Sequence, residues 1–234
     1  METSTEILPH SDFNQIHERL WTLEGKLPHH NPLPRSMTIY KMNDGGLWIH
    51  SAIALNDEAK KKLESFGKPK YVVVPNPDHR LDAHFFKENY PDIQVVCSAA
   101  AKTKVEEQIA VDATCESVFA NSEVEVIHMP GAKDIELAYK VEIGEDKALV
   151  MTDLLVNVPE LKGVGGFILK MIGRIGYFRT PPLAKLMFLN QRVSFRNWLL
   201  RESNKPELKI VTVAHGAPVT SDVSHLLKQA AYQV

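Results

Sequence analysis

An aspartate and a histidine stand side by side, Asp78-His79, just after an unbroken apolar run, Tyr71-Val72-Val73-Val74. A carboxylate and an imidazole both ligate metals, and imidazole also carries protons near neutral pH. A mostly β-branched run reads as a strand buried on both faces, which makes a rigid base for the pair. Pro75 and Pro77 cannot donate to a ladder, so the strand stops there and the pair is raised off its end. In an open sheet that is where ligands bind. The same residues also suit a plain Asx-type turn capping the next helix, and the stretch alone does not choose.

Three more expected strands end on similar chemistry. Residues 124–128 lead into Met129-Pro130-Gly131-Ala132, 147–152 into Asp153, and 208–213 into Ala214-His215-Gly216. Singly, each has a plain reading: Asp153 as a cap, His215 as a satisfied loop histidine. The adjacent His29-His30 falls in a proline-rich loop and reads as solvated.

The elements that must position these residues follow from pattern. Residues 16–23 form a short strand or helix at an edge. Residues 37–42 and 47–53 pair as a hairpin across Asn43-Asp44-Gly45-Gly46. Asn56 caps a helix over 57–66, which Gly67 ends. Helices are expected over 83–89 and 99–108, and a strand over 93–97. Residues 135–143 and 147–152 flank the turn Gly144-Glu145-Asp146. Strands and helices in this order imply layered sheets with helices outside, in one α/β domain spanning 1–234.

Composition bounds the function. The chain has 234 residues, 44% hydrophobic and 24% charged, ordinary values for a soluble globular protein. A net charge of −2 argues against a dedicated nucleic-acid binder. Cys97 and Cys115 are too few for a disulfide framework and fit a reducing compartment. No basic-then-apolar leader and no membrane-length apolar run is read, so a cytoplasmic location is expected.

The order and spacing of the four strand ends resemble the metallo-β-lactamase fold superfamily, a four-layer αββα sandwich. Its motif His-x-His-x-Asp-His after a buried strand corresponds to Val74-Pro75-Asn76-Pro77-Asp78-His79. Its Pro-Gly-His turn corresponds to Pro130-Gly131-Ala132, its bridging aspartate to Asp153 in Thr152-Asp153, and its last histidine to His215 in His215-Gly216. Val74, Asn76 and Ala132 thus replace the ligands of one metal position, whereas Asp78, His79, Asp153 and His215 keep those of the other. The segment 47–51, Leu-Trp-Ile-His-Ser, the Pro-Asn-x-x-His signature and Ala214-His215-Gly216 further resemble an uncharacterised divergent group of that superfamily, over roughly 47 to 219. The resemblance implies one divalent ion held by Asp78, His79, Asp153 and His215. Zinc is the favoured metal, with iron or manganese as alternatives. A shifted register would put Asp82 on the final histidine; it keeps fewer ligands and is rejected. His84 reads as structural or surface.

From 161 to 201 there is no acidic residue and there are eight basic ones: Lys162, Lys170, Arg174, Arg179, Lys185, Arg192, Arg196 and Arg201. They alternate with apolar and aromatic residues inside an expected helical insertion, 157–205, near the site's mouth. Three readings stand. It is a cap binding an anionic substrate through Arg174, Arg179 and Tyr177, or an amphipathic element contacting acidic lipid, or ordinary helices with solvated basic faces.

The expected function is metal-dependent hydrolysis of a small, anionic, ester-like substrate by water activated on the ion. Asn76 would steady the oxyanion, and Asp78, with Asp153, would serve as base. The alternative is a catalytically degenerate member acting as a ligand-binding or regulatory module. Oxygen-dependent chemistry on a non-haem iron is a third reading.

Overall fold

The computed structural model describes residues 6–29, 31–158 and 178–234. In chain order the strands are β1 (Asn14–His17), β2 (Leu20–Gly25), β3 (Arg35–Lys41), β4 (Gly46–His50), β5 (Lys68–Val73), β6 (Gln94–Cys97) and β7 (Ala113–Thr114). Then follow β8 (Val124–Ile127), β9 (Ala138–Ile143), β10 (Asp146–Val150), β11 (Val156–Asn157), β12 (Phe178–Arg179) and β13 (Leu208–Thr212). The described helices are α1 (Asp57–Phe66), α2 (Ala83–Asn89), α3 (Lys102–Val105), α4 (Cys115–Val118), α5 (Pro182–Phe188), α6 (Arg192–Ser203) and α7 (Val223–Tyr232).

β1 to β7 form one seven-stranded sheet in sequence order, and β13-β10-β9-β8 form a four-stranded one. β4 to β7 run parallel, as do β10 and β13. Alternation along each strand shares its side chains between two cores. In β4, Leu47 and Ile49 pack with Leu63 of α1, Phe86 of α2 and Val105 of α3. Trp48 faces the other way, onto Tyr139 and Val150 of the second sheet. β10 repeats the pattern: Ala148 and Val150 lie between the sheets, whereas Leu149 meets Phe195, Trp198 and Leu199 of α6 and Leu227 of α7. The layers run helix, sheet, sheet, helix, the expected αββα sandwich.

Local signals work where the chain is self-sufficient. Asn56 accepts from the Ala59 N–H and caps α1, a contact worth about 1 kcal/mol. Both α1 and α2 span the expected residues. Residues 16–23 resolve into the β1–β2 hairpin at the sheet edge. The helix expected over 99–108 is only α3, because the Val105 carbonyl accepts from both Gln108 and Ile109 and the chain turns there.

The two sheets are tied at the end that carries the functional residues. Ser36, in β3, donates its N–H to the Ala214 carbonyl at 2.7 Å and its hydroxyl to the Gly216 carbonyl at 2.8 Å. Gly216 has φ 103°, and a Cβ there would meet the Asn157 carbonyl oxygen at 2.0 Å. Only glycine fits that turn.

Much of the basic segment, including Lys162, Lys170, Arg174 and Tyr177, lies outside the described residues. In its described part, α6 buries Phe195, Trp198 and Leu199 and exposes Arg192, Arg196 and Arg201. Among the described residues, no helix is long and apolar enough to cross a membrane.

Candidate metal centre

The loop after β5 decides which side chains enter the site. Asn76 accepts from the Asp78 N–H at 2.9 Å and caps a single 3-10 turn, Pro77–His79. That turn brings His79 inward and leaves Asp78 exposed. His79 Nε2 lies 3.3 Å from Asp153 Oδ2, and His215 Nε2 lies 3.1 Å from Asp153 Oδ1. One ligand atom from each of His79, Asp153 and His215 falls within 4.8 Å of the others. Three of the four expected ligands therefore converge, and Asp78 stands apart on the wall of the same pocket.

The imidazoles are oriented from behind. His215 Nδ1 lies 2.8 Å from the Pro34 carbonyl oxygen. A carbonyl only accepts, so the proton sits on Nδ1 and a neutral ring leaves Nε2 with a lone pair. That lone pair would face a carboxylate oxygen, acceptor against acceptor. A positive charge resolves the conflict: a second proton on the ring, or a cation between the two atoms. His79 Nδ1 is held by Ser51 Oγ at 2.9 Å, and Ser51 itself adopts φ 57° directly after β4. Burial by itself would raise the Asp153 carboxyl; the charges and hydrogen bonds of His79 and His215 outweigh it and hold that carboxyl well below its ordinary value.

A second tier lies beneath. Asn76 is fully buried, and its Nδ2 donates to Asp153 Oδ2 at 2.8 Å and to Glu136 Oε2 at 3.3 Å. The expected oxyanion donor is thus occupied in holding a carboxylate. Glu136 Oε1 accepts from the Asp153 and Leu154 N–H groups at 3.1 and 3.0 Å. Burial, then the Asp153 charge, push the Glu136 carboxyl up to about 8 against the pull of those donors. His50, at the end of β4, stacks on Trp48 and places Nε2 3.4 Å from Thr152 Oγ1. Burial, then the neighbouring His79, push the His50 ring down to about 3, so it stays neutral.

The pocket above this floor has a volume of about 410 Å³. Leu33, Leu81, Val156, Met187 and Phe188 give it apolar walls. Its described lining contains one guanidinium, Arg35, which is paired with Asp82.

The fold matches known structures. The chain superposes on the DIM-1 metallo-β-lactamase with a TM-score of 0.64 at 12% identity, covering 97% of this chain and 99% of that one. The TMB-1 enzyme gives 0.63 at 12% identity, covering 94% and 96%. FIM-1 from Pseudomonas aeruginosa, a metallo-β-lactamase solved in its mono-zinc form, gives 0.61 at 11% identity, covering 98% of each chain. This chain has the metallo-β-lactamase fold. No family model matches its sequence, and no curated protein matches it closely enough to count.

The positions at which the resemblance implies a replaced ligand can be followed in the folded chain. Val74 packs into the helix-side core, Asn76 holds Asp153, and Ala132 bridges to Leu189. Of the residues expected to bind substrate, Arg174 and Tyr177 lie outside the described residues, and Arg179 pairs with Val156 of the pocket wall without itself lining the pocket. His84 is exposed, near the Gln108 carbonyl.

Sequence reasoning missed Glu136, Ser51 and the Pro34 carbonyl as site components. Alternation puts Glu136 in phase with Lys140 and Glu142, as an outward residue, yet it is fully buried. Its one signal is the spacing to Asp153, which means nothing until β9 and β10 pair.

Two imidazoles and a carboxylate, pre-oriented and with room on the pocket side, fit one divalent ion. The His215–Asp153 contact calls for a positive charge, which a bound cation supplies as a second ring proton does.

Proposed function

We propose that this chain is a metal-dependent hydrolase of a small ester-like substrate, using one ion held by His79, Asp153 and His215. The reading rests on the His215–Asp153 geometry, where the Pro34 carbonyl forces an imidazole lone pair towards a carboxylate. Such an ion supplies a Lewis acid that polarises a carbonyl or phosphoryl oxygen and acidifies water at neutral pH. Ser51 and Pro34 would keep both Nε2 atoms available to the ion. Asn76 holds the Asp153 carboxylate, and Glu136 holds the Asp153 backbone N–H. Asp78, exposed on the pocket wall, would take up a proton at the mouth instead of ligating. Leu33, Val156 and Phe188 exclude water from the reacting group.

Zinc suits this set, and two histidines with one carboxylate also suit iron(II). Elemental analysis of untagged protein therefore precedes any assay. An anionic substrate remains part of the proposal through the basic segment, although the described lining favours an uncharged flank. The expected result is turnover within a panel of small esters, lactones and phosphate esters, abolished by Asp153→Asn without loss of the fold.

A second reading has its own observation. The Asn76 amide is occupied by two carboxylates, so the side chain expected to steady an oxyanion is engaged elsewhere. Metal binding without turnover on any panel member would favour a ligand-binding or regulatory module.

A further inference from the structure

Arg35 and Asp82 form an ion pair, Nη2 to Oδ2 2.6 Å, with side chains only 6% and 2% exposed. Burying two charges forfeits their hydration, and an apolar pair of similar shape is often as stable, so the fold alone does not require it. Asp82 occupies the N-cap position of α2, where an aspartate normally accepts from the first turn, yet it makes no capping bond. Its Oδ2 instead meets Arg35 and the Ala54 N–H, at 2.9 Å from the latter. Arg35 Nε donates to the Lys26 carbonyl at 3.0 Å.

The pair's neighbours along the chain give it meaning. Arg35 sits between Pro34, whose carbonyl orients His215, and Ser36, which grips the carbonyls of Ala214 and Gly216. Asp82 lies three residues beyond His79, and Ala54 three beyond Ser51, which orients His79. The two histidines come from distant parts of the chain, and the pair joins the two short segments that aim them. We infer that Arg35 and Asp82 are positioning residues that set the separation of His79 and His215, and with it the affinity for the ion. The inference rests on the metal reading above.

The test is zinc titration of metal-stripped protein against a competing chelator, with thermal midpoints measured alongside. Arg35→Met alone strands a buried carboxylate, so the main variant is Arg35→Met/Asp82→Asn, which removes both charges and keeps an acceptor for Ala54. It should melt near the wild type and bind zinc about tenfold or more weakly, the usual effect of losing support behind the ligands. Arg35→Lys, which keeps the charge and loses the planar fork, should fall between. Wild-type zinc affinity in the double variant overturns the inference. Should that variant fail to fold, Arg35→Lys decides alone: weaker zinc at an unchanged midpoint supports the inference, and unchanged zinc overturns it. A wild type that binds no zinc fails differently, by removing the metal reading itself.

Discussion

The floor of the pocket has two adjacent halves that treat lone pairs in opposite ways. His79, Asp153 and His215 gather theirs towards one point and leave them facing each other. Asn76 and Glu136 spend theirs, each polar atom meeting a neighbour or a backbone N–H. The first half is electrostatically complete only with a positive charge in it. The second is complete already. The Asn76 amide donates to Asp153, so a hydrogen-bond network supports that carboxylate from below.

The largest expected effect tests the open half. If the wild type holds the proposed ion, roughly one equivalent by elemental analysis, His79→Ala/His215→Ala should lose it. Metal retained in that variant would break the contrast, because the ligands would lie elsewhere. Asn76→Ala probes the closed half. It strips Asp153 of a donor and uncaps the 3-10 turn, so metal affinity should drop roughly 10–100-fold. Stability should fall by about 1–3 kcal/mol in urea unfolding, from the polar groups left unpaired. Unchanged affinity would show that the network does not support the ligand.

The layer beneath both halves is tested by pH. His50 is held neutral when folded, near 3, and titrates near 6.5 when unfolded. As pH falls below 6.5 the unfolded chain takes up a proton that the folded one refuses, so stability declines towards pH 3. The slope from this group approaches about 1.4 kcal/mol per pH unit, and His50→Phe should flatten the acid limb of the unfolding free energy against pH, from urea titrations, by that amount. An unchanged slope would mean that His50 is solvated.

The smallest change is Ser51→Ala. It removes one hydrogen bond to His79, about 0.5–1.5 kcal/mol, and pocket water can replace the hydroxyl, so affinity should fall by about tenfold at most. A larger loss would move Ser51 into the same class as Asn76.

Some of this was legible because it is local. Asn56 before α1, the prolines after β5, and Gly216 after His215 act on backbone a few residues away, so their types announce their roles. Strand pattern put His79, Asp153 and His215 at strand ends, the resemblance grouped them as ligands, and the folded chain brings the three together. Asp78 was expected beside them, since adjacency in sequence suggests adjacency in space. A 3-10 turn rotates neighbours apart, and whether that turn forms depends on Asn76 already being anchored to Asp153.

By itself the sequence determined the layers, the strands and the ends at which chemistry gathers, because alternation and turn residues act over short distances. Tertiary structure alone decided the rest: that Glu136 is buried, that the Pro34 carbonyl aims His215, and that Arg35 meets Asp82. A backbone carbonyl has no letter in the sequence, and a charge gives no sign of its partner until the sheets have packed. Arg35 and Asp82 lie 47 positions apart, and 181 separate Pro34 from His215. Only the folded chain brings them within a hydrogen bond.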